Sequence, residues 1–129
     1  MLYQAVRPLL LACPGHVVPR FFYISTVAAS IESIPRIPFP VIAYGLSKAA
    51  GSYFVRKADN EEERLTLVAL HPGWVQTDAG NKVARKVGRD EAPLTVQECC
   101  AKLSTIMDRA TKTEMGGTFQ SVDGGTLPW

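Results

Sequence analysis

The sequence is short of cysteine, long apolar runs and any excess of one charge, and each shortage excludes a class of protein. Its three cysteines, with Cys99 and Cys100 adjacent and Cys13 far away, cannot build a disulfide framework, and no Cys/His spacing suits zinc. A reducing compartment and no metal are expected. The formal net charge is +2 and the basic residues are scattered, which provides neither a stripe for nucleic acid nor a patch for a membrane surface. No segment is long and apolar enough to span a bilayer. The opening Met-Leu-Tyr-Gln reaches Pro8 before the apolar region of a signal peptide can develop. The expectation is a cytoplasmic protein whose residues 1–129 form one domain around one core, given a hydrophobic content of 47%.

Leu2, Val6, Leu9 and Leu10 recur at helical spacing and predict an opening helix that Pro8 kinks or shortens and Pro14-Gly15 ends. Arg20 to Thr26 (RFFYIST) is aromatic and β-branched without polar alternation, as in a strand buried on both faces of a parallel sheet. Three prolines between Ile34 and Pro40 make an irregular loop. Ala43 to Lys57 reads as a helix and Leu65 to Leu70 as a second buried strand. His71-Pro72-Gly73 breaks that strand, and the polar segment from Asp78 to Pro93 is expected to be mobile. Thr95 and Glu98 form a capping-box pattern ahead of a helix carrying Val96, Cys99, Leu103, Ile106 and Ala110. After Gly116-Gly117, Thr118 to Val122 reads as a short strand. The order helix, strand, helix, strand, helix, strand predicts an α/β fold with about three parallel strands flanked by helices. That is half of a doubly wound Rossmann-type sheet, whose phosphate-binding glycine turn belongs to the other half. Neither G-x-x-x-G-x-G nor G-x-G-x-x-G occurs in this chain.

Tyr44 and Lys48 are four apart in the predicted helix and so share one face. A phenol titrates near 10, and a neighbouring positive charge stabilises its ionised form, which suits it to proton transfer. The pair alone is common on helices. Its context adds the hydroxyls of Ser25 and Thr26 at a strand's carboxyl end, where open α/β sheets bind ligands. Such a hydroxyl can bond the carbonyl oxygen that receives a proton from Tyr44. At the next strand's carboxyl end, Pro72-Gly73 turns the backbone sharply and exposes the groups around Val75 and the Thr77 hydroxyl.

In AYGLSKAA, HPGWVQTD and SVDGGTLPW, taken in this order, the chain resembles the short-chain dehydrogenase/reductase family, especially its fungal ketoreductase-like members. The resemblance covers nearly the whole chain and implies the C-terminal, catalytic half of a partial NAD(P)-binding domain. It implies hydride transfer between NADP (or NAD) and a carbonyl or alcohol substrate, with Tyr44 as acid/base. Lys48 would lower the Tyr44 pKa and hold the nicotinamide ribose, and Thr26 or Ser25 would orient the substrate. Pro72, Gly73, Val75 and Thr77 would shape and contact the nicotinamide site, and the segment after Asp78 would cover the substrate. The helix carrying Ala49, Ala50 and Gly51 would help build a subunit interface, hence a homo-oligomer. Thr26 stands where a second serine is usual. The proline-rich insertion lengthens its distance from Tyr44, and Ser30 fits the usual spacing better. Thr26 is still preferred, because Ser30 lies beyond the predicted strand end and an insertion in a surface loop is easily absorbed, with Ser25 and Ser30 as alternatives.

Two rival readings follow from the same residues. Gly45-Leu46-Ser47-Lys48-Ala49 approximates the nucleophile elbow of a hydrolase, with Asp59 and His71 in matching order. A helix from Ser47 to Asp59 would separate those two by roughly 18 Å, too far for one triad. The other rival is a truncated, inactive fragment that acts at most as a dimerising module.

Overall fold

The computed structural model describes residues 2–129. Helix α1 spans Leu2–Leu11 and runs through Pro8, which has no N–H to give the preceding turn, so the helix ends soon after it. Tyr3 faces the core, and Arg7 is ion-paired with Glu62. Strand β1 is Arg20–Ile24, helix α2 is Ile42–Glu61, and strand β2 is Thr66–His71. Helix α3 covers Asp78–Lys86, α4 covers Val96–Arg109, and a single turn, α5, covers Lys112–Met115. Strands β3 (Phe119–Ser121) and β4 (Thr126–Leu127) complete the chain.

The sheet has four strands in the order β1-β2-β3-β4. The first three run parallel, with Phe22 opposite Val68 and Leu70 opposite Gln120, and β4 turns back antiparallel so that Leu127 lies opposite Phe119. Alternation of side chains along β2 feeds both faces. Leu67 and Ala69 pack with Tyr3, Val55 and Phe119 beneath α1 and α2. Val68 and Leu70 pack with Ile106 and Ala110 beneath α4. The arrangement is three-layered, helix on sheet on helix.

Two locks hold the layers in register. Asp59, buried near the end of α2, accepts the Leu67 N–H at 2.8 Å and pairs with the Lys112 ammonium at 2.9 Å. Gly117 sits against it at φ +63°, where a Cβ would come within 3.0 Å of the carboxylate. The second lock is aromatic: Tyr3, Phe21 and Phe54 meet edge to face, with ring centroids 4.9 to 6.4 Å apart.

The α/β class and the parallel sheet match the sequence expectation, with differences of physical interest. β2 is buried on both faces, but β1 is not: Arg20 and Ile24 are exposed and the residues between are half-buried. β1 is an edge strand with one neighbour, and aromatic content does not distinguish an edge from a centre. It stops at Ile24, leaving Ser25 and Thr26 beyond it. The segment expected to be mobile holds α3, started by the Thr77 hydroxyl accepting the Gly80 N–H, with Asp78 in its first turn and Arg85 and Lys86 in its last. The proline-rich segment has one 3-10 turn, Ile34–Arg36, and another, Val27–Ala29, precedes it. The capping box at Thr95 and Glu98 forms as expected.

Candidate active site

β1 and β2 end side by side at Ile24 and His71, and α2 passes over the end of β1. Positions 44, 48, 52 and 55 of α2 follow the helical period and face the sheet edge. Tyr44 is 48% exposed, so its phenol is open to a ligand. Lys48 is half-buried and donates from Nζ to the Ile24 carbonyl at 2.8 Å. Its ammonium lies 6.0 Å from the centre of the Tyr44 ring and 5.3 Å from that of Tyr23. The predicted pair is thus brought together, and the ammonium also bonds a strand-end carbonyl, a contact that four-residue spacing does not reveal.

The three candidate hydroxyls have different surroundings. Ser25 is 2% exposed and shares a 2.7 Å hydrogen bond with the Ser52 hydroxyl on α2. Ser30 is 1% exposed, donates to the Ser33 hydroxyl at 2.9 Å and accepts the Ser33 N–H. Thr26 is half-buried and caps the turn at Val27 by accepting the Ala28 N–H at 3.3 Å, which leaves its own proton uncommitted among the described residues.

His71 binds the two strand ends together, a role not anticipated from sequence. Its Nδ1 accepts the Val27 N–H at 3.4 Å, just past Thr26. Burial pushes the imidazole pKa down, and Asp123 partly opposes that shift. After it the chain turns at Gly73, φ +78°, a left-handed conformation open to glycine. A Cβ there would press on Val122 at 3.0 Å. The Pro72 carbonyl accepts the Cys99 thiol at 3.3 Å, which ties the loop to α4. Val75 bridges to Leu94, Trp74 donates from Nε1 to the Gly80 carbonyl at 2.9 Å, and Gln76 donates to the Ala92 carbonyl at 2.9 Å. The Val75 N–H has no acceptor among the described residues, and Thr77 is exposed.

A cleft of about 280 Å³ lies between the proline-rich segment and α2, lined by Ile31, Ile37, Phe39, Ile42, Leu46 and Ala49 among others. Positions 42, 46 and 49 are on the face of α2 turned away from Tyr44 and Lys48. The cleft is therefore not the space in front of the phenol. The hydrolase arrangement does not form either. Ser47 donates to the Tyr44 carbonyl at 2.8 Å within its own helix, Asp59 is paired with Lys112, and His71 serves Val27.

A parallel sheet with helices on both faces and polar groups gathered at the strands' carboxyl ends defines a Rossmann-type unit. No family model matches the chain. Curated sequences do. It is 41% identical to the norsolorinic acid ketoreductase nor1 of Dothistroma septosporum over 132 aligned residues, covering 100% of this chain and 48% of that protein. It is 39% identical to the short-chain dehydrogenase srdF of Neurospora crassa, covering 100% and 51%. Among solved structures, the NADPH-bound carbonyl reductase from chicken fatty liver superimposes with a TM-score of 0.82 at 27% identity, over 99% of this chain and 51% of that one. Over its whole length the chain is similar to short-chain dehydrogenases and ketoreductases, and it spans about half the length of the relatives it matches.

Proposed function

We propose that this chain carries the acid/base portion of an NADP-dependent carbonyl reductase. The observation that carries the reading is the placement of Tyr44 and Lys48 on one face of α2, over the strand end from which Thr26 projects a hydroxyl with a free proton. Reduction of a ketone places negative charge on the carbonyl oxygen. Tyr44 delivers a proton to that oxygen, and Thr26 donates a hydrogen bond that holds it in place. The Lys48 ammonium stabilises the phenolate that Tyr44 becomes. Ser25 and Ser30 are engaged with Ser52 and Ser33, which favours Thr26 for the substrate contact.

The residues after β2 suit the nicotinamide end of NADPH. The turn at Gly73 has no room for a side chain, the Val75 N–H offers a free donor for a carboxamide, and the Thr77 hydroxyl is exposed beside them. Lys48 would hold the ribose. When bound, the nicotinamide supplies the hydride. Proton delivery, orientation of the carbonyl and closure of the site around Pro72 and Gly73 fall to this chain. NADP is preferred over NAD because the chicken carbonyl reductase carries NADPH. A small carbonyl substrate, one domain over residues 1–129 and residence in the cytoplasm complete the proposal.

The test is a chimera in which this chain replaces the matching part of the Dothistroma ketoreductase. Carbonyl-dependent NADPH oxidation should fall about a thousandfold on Tyr44→Phe. A folded, NADPH-binding chimera that reduces no carbonyl would overturn the reading.

A further inference from the structure

Tyr23 stands directly beneath the Tyr44/Lys48 pair, yet none of the motifs includes it. It is the fourth residue of β1, and its ring lies across Gly51 of α2 so closely that a Cβ at position 51 would overlap Tyr23 Cζ. Any residue larger than glycine would have to displace that ring. The ring's face is 5.3 Å from the Lys48 ammonium, nearer than the Tyr44 ring at 6.0 Å, while Nζ bonds the carbonyl of the next residue, Ile24. The ammonium is held from three sides, by two aromatic faces and a carbonyl oxygen.

We propose that Tyr23 is a positioning residue that clamps the Lys48 ammonium beside Tyr44, with Gly51 as the space that admits its ring. The inference rests on the reading of Tyr44 and Lys48 given above. A lysine on the surface spreads its charge over many rotamers, and its effect on a neighbouring phenol falls with that spread. A cation over an aromatic face is held by the ring's quadrupole, so one rotamer is favoured. Burial, and then the charge of an ionised Tyr44, push the Tyr23 phenol above its ordinary range. Tyr23 therefore stays neutral while Tyr44 exchanges its proton, and the clamp does not compete for that proton.

The experiment follows the ionisation of Tyr44 in this chain by carbon NMR with label at tyrosine Cζ, which resolves the four tyrosines. Lys48→Met should raise the Tyr44 midpoint by about one pH unit. Tyr23→Met, which fills space without an aromatic face, should raise it by about half as much, and should add nothing on the Lys48→Met background. Tyr23→Phe, which keeps the face, should leave it where it was. If Lys48→Met raises the midpoint and Tyr23→Met does not, the clamp is refuted and the Tyr44/Lys48 pair stands. Equal shifts for Tyr23→Phe and Tyr23→Met also refute it, because the hydroxyl and not the ring would be responsible. If Lys48→Met has no effect, the pair itself is lost and the clamp with it. Should Tyr23→Met fail to fold, the unsubstituted chain decides: the Lys48 ε-methylene protons should be shifted upfield by ring current, and unshifted protons overturn the proposal.

Discussion

His71 gives the residue scale its clearest pH dependence. Burial lowers its pKa from the ordinary 6.5, so the unfolded chain binds a proton more readily than the folded one. Stability is full above that value and declines as the pH falls through it toward the depressed native pKa. Chemical unfolding between pH 7.5 and 5 should show this loss, and His71→Asn, which keeps an acceptor for the Val27 N–H but cannot charge, should flatten it. Cysteine chemistry separates along similar lines. The Cys99 thiol is buried, is pushed up chiefly by that burial, and is bound to the Pro72 carbonyl, whereas Cys100 is exposed. Alkylation of the native protein at neutral pH, read by peptide mass, should modify Cys100 well before Cys99.

At the scale of elements, caps and close contacts decide more than propensity. The Thr95 hydroxyl accepts the Glu98 N–H, and the Glu98 carboxylate accepts the Thr95 hydroxyl and N–H, which hold the Glu98 pKa below its usual value. Thr95→Ala should destabilise the protein by about 1 kcal/mol in denaturant unfolding. Gly51→Ala illustrates the opposite priority. Alanine is the better helix former by about 1 kcal/mol, yet its methyl would collide with the Tyr23 ring, so the variant should be less stable in the same measurement.

These elements also show what was legible in advance. The capping box and the four-residue spacing of Tyr44 and Lys48 depend on local geometry, so the sequence carries them. α3 was missed because its charged surface hides a capped helix: Thr77, Asp78, Arg85 and Lys86 are helix-terminus signals that a reading by composition overlooks. Tyr23 and His71 escaped for a different reason. Each acts through a partner brought close only by the parallel pairing of β1 with β2 and the crossing of α2, so neighbouring residues in sequence do not announce it. The proposed preference for Thr26 over Ser25 and Ser30 rests likewise on their partners, not on spacing.

For the whole molecule, the sheet has a protected centre and an open side. Hydrogen exchange should be slowest at the amides of β2, from Leu67 to Leu70, where every residue is fully buried between two layers. In β1 the exchange should alternate. Ser25 donates to Leu70, and Thr66 donates to the Pro19 carbonyl, so the odd-numbered residues of this stretch pair with β2 while Phe22 and Ile24 present their backbone groups outward. Fast exchange at Phe22 and Ile24 beside slow exchange at Phe21 and Tyr23 would bear this out, and uniform protection would mean that the edge is covered.

The Lys48 bond to the Ile24 carbonyl takes on another meaning at that edge. Ile24 is a residue whose carbonyl points away from β2, so the ammonium occupies a place on the ladder where the next strand would donate. Lysine caps the open sheet as a gatekeeper would. Any strand that docks alongside β1 must accommodate it, because a carbonyl oxygen has room for a second donor. One ammonium thus both blunts the open edge of the sheet and stands beside the Tyr44 ring, so the edge and the helix face above it are tied by a single side chain.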